Sequence, residues 1–435
     1  MGKQSIESKV MQYVDKKELV RLAGDLVDIP SPSGREIQVA EYILNWFHQR
    51  GFQTVKQQVS DQRANAVASW PGTGGGASLM FNGHMDVVFT GLSDHQLLMG
   101  MTEPGPWPKA VFEGGRITGP GIGNDKAAIS AFMVAAQALT QAGVKLKGDL
   151  ILAAVFGEIE RAPIDLYQGQ DYCGMGSGTT HLLAHGITSD YVLVAEPSGF
   201  SVTWALTGGA YVKLSTFGEP VYSPYIQSYP RWQESQNAIV KMVKVLEAVE
   251  NWGQRYEREN QYIFPGGTIV PKVNIGAVLG GLPFKPNYAA AECHAYVDVR
   301  TPPGKDPGRI KDALQQVIQL LGIPVEIVLF RSQRGYEGKA SAPVVEAVTA
   351  ACRAVTQSEP KKLRAPSTST WNDLNIYHEK GIPGAKFGPS IERPSEAERR
   401  AGSLEAVDAD ELVNLAKIYA LTALDICNRD KPSAD

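Results

Sequence analysis

The stretch Leu79-Met80-Phe81-Asn82-Gly83-His84-Met85-Asp86-Val87-Val88 is the starting point for interpreting the chain. Mostly apolar residues are followed by a Gly-His-x-Asp step, which indicates a buried strand whose carboxyl end carries His84 and Asp86. Open α/β sheets keep their functional sites at the carboxyl ends of strands. A metal-binding imidazole commonly has its other ring nitrogen held by a carboxylate or a carbonyl oxygen, so this pair suits a metal site. Taken alone, the same two residues also fit a hydrogen-bonded His-Asp pair without a function.

Length and composition limit the possible classes of protein. The chain has 435 residues, more than one hydrophobic core usually holds, so we expect two domains. Hydrophobic residues make up 43%, charged residues 20%, and the net charge is −4, which argues against nucleic-acid and membrane partners. No apolar run reaches the roughly 18 residues of a membrane span, and no apolar leader is evident, so we expect a cytoplasmic protein. The four cysteines are widely spaced, which argues against disulfides and against a thiolate zinc site.

Strands and helices alternate on both sides of the His84 motif. Residues 64–70 and 78–81 read as strands that pair with each other around a Gly-rich turn, and residues 91–115 read as a loop. Further strands are predicted at 150–156 and 191–195, with an apolar helix at 127–142 between them and the motif. This alternation predicts an α/β domain with a mixed sheet flanked by helices.

The pattern changes near Gly208 and predicts a second domain. Strands and helices between residues 208 and 331 follow the order β-α-β-β-α-β, which is typical of a ferredoxin-like α+β unit. We therefore expect the first domain to comprise residues 1–207 and 332–435, with the second domain, residues 208–331, inserted into it.

Several short motifs follow one another along the chain. They are Ile29-Pro30-Ser31-Pro32-Ser33-Gly34, Gly83-His84-Met85-Asp86, Gly119-Pro120-Gly121-Ile122-Gly123-Asn124-Asp125-Lys126, Gly157-Glu158, Glu196-Pro197-Ser198, Asn274-Ile275-Gly276 with Gly280-Gly281 and Asn287, Asp298-Val299-Arg300, and Phe387-Gly388-Pro389. Together they resemble the M20 family of metal-dependent hydrolases, which includes acetylornithine deacetylases, succinyl-diaminopimelate desuccinylases and carboxypeptidases. The resemblance covers nearly the whole chain and implies a catalytic domain with a smaller lid domain that usually pairs two subunits.

The resemblance also implies a ligand set, from which this chain departs. Members of the family usually hold two metal ions, and His84 and Glu196 match ligands of the first ion. At the position of the bridging Asp the chain has Asn124. At the two positions private to the second ion it has Ile159 and Ala401. A neutral amide oxygen can serve one ion but offsets little of the charge of two, so we predict one divalent ion per subunit, Mn²⁺ or Zn²⁺, held by His84, Asn124 and Glu196.

Three alternatives to this ligand set remain open. A shift of one residue in the loop makes Asp125 the ligand, and a carboxylate is the better donor for a hard cation. Glu160 can stand in for the carboxylate missing at Ile159, although on a strand it shares the direction of Glu158 and suits a salt bridge better. The site can also be inactive, but the presence of Glu158 at the position of the general base argues against that.

The lid domain implies further substrate contacts. The family places a His in the lid to bind the oxyanion of the attacked carbonyl, and Tyr222 occupies that position here. A tyrosine hydroxyl donates one hydrogen bond but carries no positive charge. Arg300 matches a position that binds a substrate carboxylate, which a guanidinium does in a bidentate manner; its alternative is an ordinary surface ion pair. Asn287 completes the predicted substrate-binding residues.

Together these residues predict a hydrolase that breaks a C–N bond in a small carboxylate-bearing substrate. Glu158 is the predicted general base and Asp86 the residue that orients His84. Loss of the second ion and of the lid His favours a reaction whose negative charge spreads into the substrate itself. The 5-nitroanthranilate aminohydrolases of the same family catalyse such a reaction. The alternatives are an N-acyl amino acid amidohydrolase or carboxypeptidase, and a non-catalytic binding protein. We also expect a homodimer through the lid domain, or a higher homo-oligomer.

Overall fold

The computed structural model describes residues 3–88, 109–362, 367–396 and 404–432. Among these residues the chain forms two compact units. The first contains the described residues up to Trp204, those from Gly338 to 362, and those from Asn372 onward; the second contains Ala205–Glu337 and residues 367–371. The predicted boundaries at 208 and 331 lie within a few residues of these ends. The membership of residues 367–371 in the second unit was not predicted.

The first unit is built on a mixed six-stranded sheet, which confirms the predicted fold class. Its strands lie in the order β1-β2-β6-β3-β7-β14. The four strands from β6 to β14 run parallel, and β1 and β2 are antiparallel to their neighbours. The bounds are β1 Gln53–Ser60, β2 Arg63–Trp70, β3 Leu79–His84, β6 Leu150–Val155, β7 Tyr191–Val194 and β14 Gly384–Lys386.

One predicted pairing in this sheet is wrong. We expected the strands around residues 64–70 and 78–81 to pair with each other, but β6 lies between β2 and β3 and bonds to both. The physical reason is the composition of β6, whose residues are nearly all buried, so that it needs cover on both faces and a neighbour on each side. The polar strand β1, which we did not predict, forms the exposed edge.

Helices flank this sheet. The apolar helix α4 is buried along almost its whole length and packs against α2 and α10, which places it next to the strand that ends in His84. The helices of the first unit are α1 Lys3–Gln12, α2 Lys16–Asp28, α3 Ile37–His48, α4 Ala127–Gln141, α5 Ser177–Ala184, α8 Pro343–Thr356, α9 Leu374–Glu379 and α10 Ala409–Ile426. Within the described part of the chain, no helix has both the length and the apolar character that crossing a membrane requires.

The second unit has the predicted β-α-β-β-α-β order. Its four strands are antiparallel and lie in the order β11-β12-β8-β13, the arrangement of a ferredoxin-like sheet. Apolar side chains of β8 and β12 pack with those of α6 and α7 in one core. A short hairpin, β9–β10, follows α6 and was not predicted. The bounds are β8 Gly208–Phe217, α6 Ala238–Glu259, β9 Tyr262–Phe264, β10 Gly267–Ile269, β11 Val273–Gly280, β12 Glu292–Thr301, α7 Arg309–Gln319 and β13 Glu326–Gln333.

A small three-stranded sheet joins distant parts of the first unit. It consists of β4 Val111–Glu113, β5 Arg116–Thr118 and β15 Ala406–Asp408, in the order β15-β5-β4. The predicted loop at 91–115 therefore contains a strand at its end, and the part of it up to residue 108 lies outside the described residues. Ala401 also lies outside them.

Candidate metal centre

His84 ends β3 with its ring buried. Its Nδ1 lies 2.9 Å from the backbone carbonyl oxygen of Asp86 and 3.5 Å from a carboxylate oxygen of the same residue. A carbonyl oxygen can only accept a hydrogen bond, so the neutral ring carries its proton on Nδ1 and donates it there. Nε2 has no hydrogen-bond partner among the described residues, which leaves its lone pair for a metal ion.

Three side chains converge at this point. His84, Asp125 and Glu196 each offer one ligand atom, these atoms lie within 4.8 Å of one another, and all three residues are buried. His84 Nε2, Asp125 Oδ1 and Glu196 Oε1 all lack a hydrogen-bond partner in the described part of the chain. A buried polar atom without a partner costs about 1–3 kcal/mol, more if it is charged. One imidazole and two carboxylates suit Mn²⁺ or Zn²⁺, so these residues fit a divalent ion.

The turn at Ile122–Lys126 carries both candidate ligands from the sequence, Asn124 and Asp125. In the irregular turn at Ile122–Lys126, Asn124 has φ −134° and ψ 87°, and Asp125 has φ −125° and ψ 16°. Oδ2 of Asp125 accepts a hydrogen bond from the backbone amide of His84 at 3.2 Å and lies 3.5 Å from its Nε2. Asn124 is half-buried, and its backbone amide hydrogen-bonds to Glu405. The carboxylate of Asp125, the alternative weighed in the sequence, thus contacts His84, and we carry it forward as the proposed ligand; the choice between Asn124 and Asp125 stays a prediction.

Asp86 connects His84 with the segment that follows β6. One of its carboxylate oxygens accepts the backbone amide of Glu158 at 3.0 Å, and the other accepts the amide of Ile159 at 3.2 Å and the hydroxyl of Ser33 at 2.7 Å. Burial alone raises the pKa of Asp86, but the hydrogen bond and charge of His84 and the other donors outweigh it and lower that pKa to about 2. Asp86 therefore stays ionised and holds both His84 and the backbone of Glu158 in place.

Glu158, the predicted general base, lies beside the three converging side chains. It is buried, and its Oε2 lies 3.6 Å from His84 Nε2. Burial and then the charge of Glu196 raise the pKa of Glu158 well above its ordinary value. Burial lowers the pKa of His84, but the charges of Asp125 and Glu158 outweigh it and raise that pKa well above the usual range. The cluster formed by His84, Asp125, Glu158 and Glu196 therefore favours a positive charge among its side chains.

The two other positions next to Glu158 are also described. Ile159 is half-buried and contributes its backbone amide to Asp86, whereas its side chain offers no ligand. Glu160 is half-buried, and its charge acts on Glu158. It does not belong to the group of candidate ligands found among the described residues.

Two buried residues at the centre were missed in the sequence. Lys386 of β14 donates a hydrogen bond from Nζ to Oε2 of Glu196 at 3.2 Å. Asp373 accepts a hydrogen bond from the hydroxyl of Thr179 at 2.6 Å, and burial raises its pKa to about 7. The sequence did contain a feature by which Lys386 could have been identified. It is the single charged residue in the apolar run Gly384-Ala385-Lys386-Phe387-Gly388, and a lone charge is unusual in a buried strand.

The predicted lid residues all belong to the second unit. Tyr222 is 40% exposed, and the backbone amide of Ser223 donates to the carbonyl oxygen of Asn287 at 2.9 Å, so the segments of Tyr222 and Asn287 lie side by side. Arg300 bonds through Nε and an NH2 group to one carboxylate oxygen of Asp298, at 3.0 and 2.9 Å. The alternative considered for Arg300 was an exposed surface ion pair, whereas in this pair the side chains of Arg300 and Asp298 are only 14% and 27% exposed. The substrate-binding roles of these residues stay predictions.

Comparison with known proteins agrees with this architecture. The model of the peptidase family M20/M25/M40 matches residues 80–425. A succinyl-diaminopimelate desuccinylase of Staphylococcus epidermidis is 26% identical over 72% of this chain and 75% of its own. A LysW-lysine/LysW-ornithine hydrolase of Pyrobaculum aerophilum is 27% identical over 85% and 87%. The crystal structure of a tripeptidase from Staphylococcus aureus has a similar fold, with a TM-score of 0.70, 17% identity, and coverage of 95% of this chain and 99% of that one.

Proposed function

The chain belongs to the M20/M25/M40 peptidase family of hydrolases that act on C–N bonds, and on this premise we propose that it uses a single divalent ion to cleave a C–N bond in a small carboxylate-bearing substrate. The proposed ligands are His84, Asp125 and Glu196. The observation that carries the proposal is the convergence of three buried residues, each of which also has a polar side-chain atom without a hydrogen-bond partner in the described part of the chain.

A single ion is supported by the residues around this group. Ile159 cannot act as a ligand through its side chain, and Ala401 cannot either. Two carboxylates and one imidazole offset the charge of one divalent ion, whereas two ions in the same space require more anionic ligands. We expect Mn²⁺ or Zn²⁺ as the ion.

The residues divide the reaction between them. A divalent ion at this position lowers the pKa of a bound water and so supplies a nucleophile near neutral pH. Glu158 takes a proton from the attacking water and gives it to the leaving nitrogen, a role that its place beside the three proposed ligands supports. Asp86 fixes the proton of His84 on Nδ1 and holds the backbone of Glu158.

For the substrate we propose an aromatic amine with a carboxylate, such as 5-nitroanthranilate, which loses its amino group by hydrolysis. Support comes from the second unit, where Tyr222 lies in a cluster of exposed rings, 5.9 Å from the ring of Tyr225 and 5.6 Å from that of Tyr288. Exposed aromatic rings suit a planar ligand. An electron-poor ring also takes up the negative charge that a carbonyl oxygen otherwise carries, so a strong oxyanion donor is not needed.

The second candidate substrate is an N-acyl amino acid. It is supported by the similarity to a desuccinylase and by the hydroxyl of Tyr222, which can donate a hydrogen bond to a carbonyl oxygen. The two candidates share the metal ion, Glu158 and a carboxylate on the substrate, and they differ in where negative charge develops.

Metal content and turnover test the proposal together. Metal-free enzyme reconstituted with Mn²⁺ or Zn²⁺ should bind one ion per chain. It should release ammonia from 5-nitroanthranilate, or an acid from N-succinyl and N-acetyl amino acids. The Glu158→Gln variant is the matched control, because it should still bind the ion but lose about 10²–10⁴-fold in rate. Two ions per chain at full occupancy, or an active Glu158→Gln variant, would contradict the proposal.

We also propose that the chain forms a homodimer through the second unit. Strand β11 is an edge of its sheet, and its exposed residues include Val278 and Leu279, with Leu282 and Phe284 following directly. An unpaired, apolar edge strand is a template for pairing with another chain. A second copy of the same unit satisfies both the backbone groups and the apolar side chains.

A further inference from the structure

A lysine side chain is buried against one of the proposed metal ligands. Lys386 is 3% exposed, and its Nζ donates a hydrogen bond to Oε2 of Glu196 at 3.2 Å. The other oxygen of Glu196 has no hydrogen-bond partner in the described residues and belongs to the carboxylate that converges with His84 and Asp125. Glu196 thus offers one oxygen to an ammonium group and one to the candidate metal centre.

The backbone holds Lys386 firmly. In β14 it aligns with Val194 of the parallel strand β7, two residues before Glu196. Its backbone amide donates to the carbonyl oxygen of Thr203 at 2.8 Å, and its carbonyl oxygen accepts the amide of Thr203 at 3.2 Å. Because neighbours on both sides fix the backbone, the side chain of Lys386 starts from a fixed position beside Glu196.

From this geometry we propose that Lys386 is a built-in cation of the metal centre, which shares Glu196 with the divalent ion and thereby weakens the binding of that ion and opposes a second one. The inference rests on the proposed function, since it assumes that one divalent ion binds to His84, Asp125 and Glu196. The inference adds Lys386 to the centre, a residue that the metal-ligand motifs of the sequence do not include.

The ammonium of Lys386 offsets part of the charge of Glu196, one of the proposed ligands, before any ion binds. A lysine ammonium is a compact point charge, and like charges that share one carboxylate in a water-poor site repel each other.

An orienting role for Lys386 predicts the opposite effect on metal binding. If the ammonium only fixes the rotamer of Glu196, removing it loosens a ligand and the ion binds more weakly. If it acts as a cation, removing it returns the full charge of Glu196 to the centre and the ion binds more tightly. Glutamine separates the two roles, because its amide can still donate a hydrogen bond to Glu196 but carries no charge.

The test is a calorimetric titration of metal-free protein with MnCl₂. We expect the Kd of Lys386→Gln to fall at least about tenfold below that of the parent, a change of about 1.4 kcal/mol in binding free energy. Lys386→Arg keeps the charge and is the matched control, with a Kd within about threefold of the parent. A stoichiometry above one ion per chain in Lys386→Gln supports the same role.

An unchanged or higher Kd in Lys386→Gln overturns the inference. If Lys386→Gln does not fold, Lys386→Met is titrated in its place, and its Kd is interpreted with the same sign. The failure of this inference is distinct from failure of the proposed function: a parent protein that binds no ion refutes the latter, whereas a parent that binds one ion together with a Lys386→Gln variant of equal or weaker affinity refutes only the former.

Discussion

Neighbouring residues in the turn at Ile122–Lys126 have different surroundings. Asp125 is buried and its carboxylate contacts His84, whereas Asn124 is half-buried and its backbone amide bonds to Glu405. Glu405 also accepts the amide of Gly123 at 3.2 Å. A β-carbon on Gly123 would lie 2.8 Å from the side chain of Ile391, so glycine permits this close approach. The hydrogen bonds from the backbone amides of Gly123 and Asn124 to Glu405 therefore hold the turn in the conformation in which the carboxylate of Asp125 contacts His84.

The first prediction concerns which residue of this turn binds the ion. Asp125→Asn should raise the Kd for Mn²⁺ at least about 100-fold, since loss of groups that merely support a ligand already costs 10–100-fold. Asn124→Ala should change it less than about tenfold. Titration of the metal-free variants measures both values. A larger change in the Kd for Mn²⁺ in Asn124→Ala than in Asp125→Asn would instead identify Asn124 as the ligand.

The second prediction concerns the hydroxyl of Tyr222. With an aromatic amine as substrate, Tyr222→Phe should change kcat less than about threefold, because stacking of the ring does not need the hydroxyl. With an N-acyl amino acid as substrate, the same change should lower kcat about 10²–10³-fold, as loss of one oxyanion donor does elsewhere. Steady-state kinetics on both substrates decides between them. A large loss of kcat on the aromatic amine would refute the stacking role.

Among the elements, β2 and the turns around it support the centre without contributing ligands. Arg63 of β2 is fully buried and donates to both carboxylate oxygens of Glu36, at 3.0 and 2.8 Å, and to the carbonyl oxygen of Cys173 at 2.8 Å. Glu36 in turn accepts the amide of Gly34 at 3.0 Å. A buried ion pair is costly unless its hydrogen bonds are satisfied, and here those bonds join β2 to the segment that follows Ser33 and to Cys173.

The third prediction concerns the exposed edge strand of the second unit. Combined Val278→Lys and Leu279→Lys substitutions should convert the proposed dimer to monomer, because charges on an edge strand oppose pairing with another chain. Light scattering after gel filtration gives the mass. Ile263→Lys is the matched control, since Ile263 is 80% exposed but lies on the hairpin β9–β10. A monomeric parent protein, or a double variant that stays dimeric, would contradict the proposed interface.

At the scale of the whole molecule, the partly buried His378 makes the free energy of unfolding depend on pH. His378 of α9 approaches the carbonyl oxygen of Gly384 through Nε2 at 3.4 Å, and its ring packs on Gly338. Burial lowers the pKa of His378 to about 4, against about 6.5 in an unfolded chain. The folded protein therefore keeps the ring neutral and binds fewer protons than the unfolded chain between these two values.

The fourth prediction follows from this difference. The contribution of neutral His378 is complete above about pH 6.5 and is lost as the pH falls toward 4, by up to about 3 kcal/mol. The free energy of unfolding should therefore fall less between pH 7 and pH 5 in His378→Gln than in the parent. Urea denaturation at both pH values measures it. The exposed His48→Gln variant should behave like the parent, and equal pH dependence of all three proteins would exclude the effect.

The sequence alone predicted the mixed sheet, the two-part organisation and the place of His84, Asp86, Glu158 and Glu196 at or soon after the ends of strands, but neither β1 nor the hairpin β9–β10. These features follow from local periodicity and from short motifs, which neighbouring residues carry. Membership of the M20/M25/M40 family and hydrolysis of a C–N bond were also confirmed, because both predictions rested on short motifs. The substrate-binding roles of Tyr222, Asn287 and Arg300 stay predictions.

Features that depend on residues far apart in the chain became visible only in the folded protein. They include the insertion of β6 between β2 and β3, the contact of Asp125 with His84, and the contact of Lys386 with Glu196. Pairing of distant strands and the direction of a side chain in an irregular turn are set by packing of the whole unit. No pattern within a few neighbouring residues contains that information.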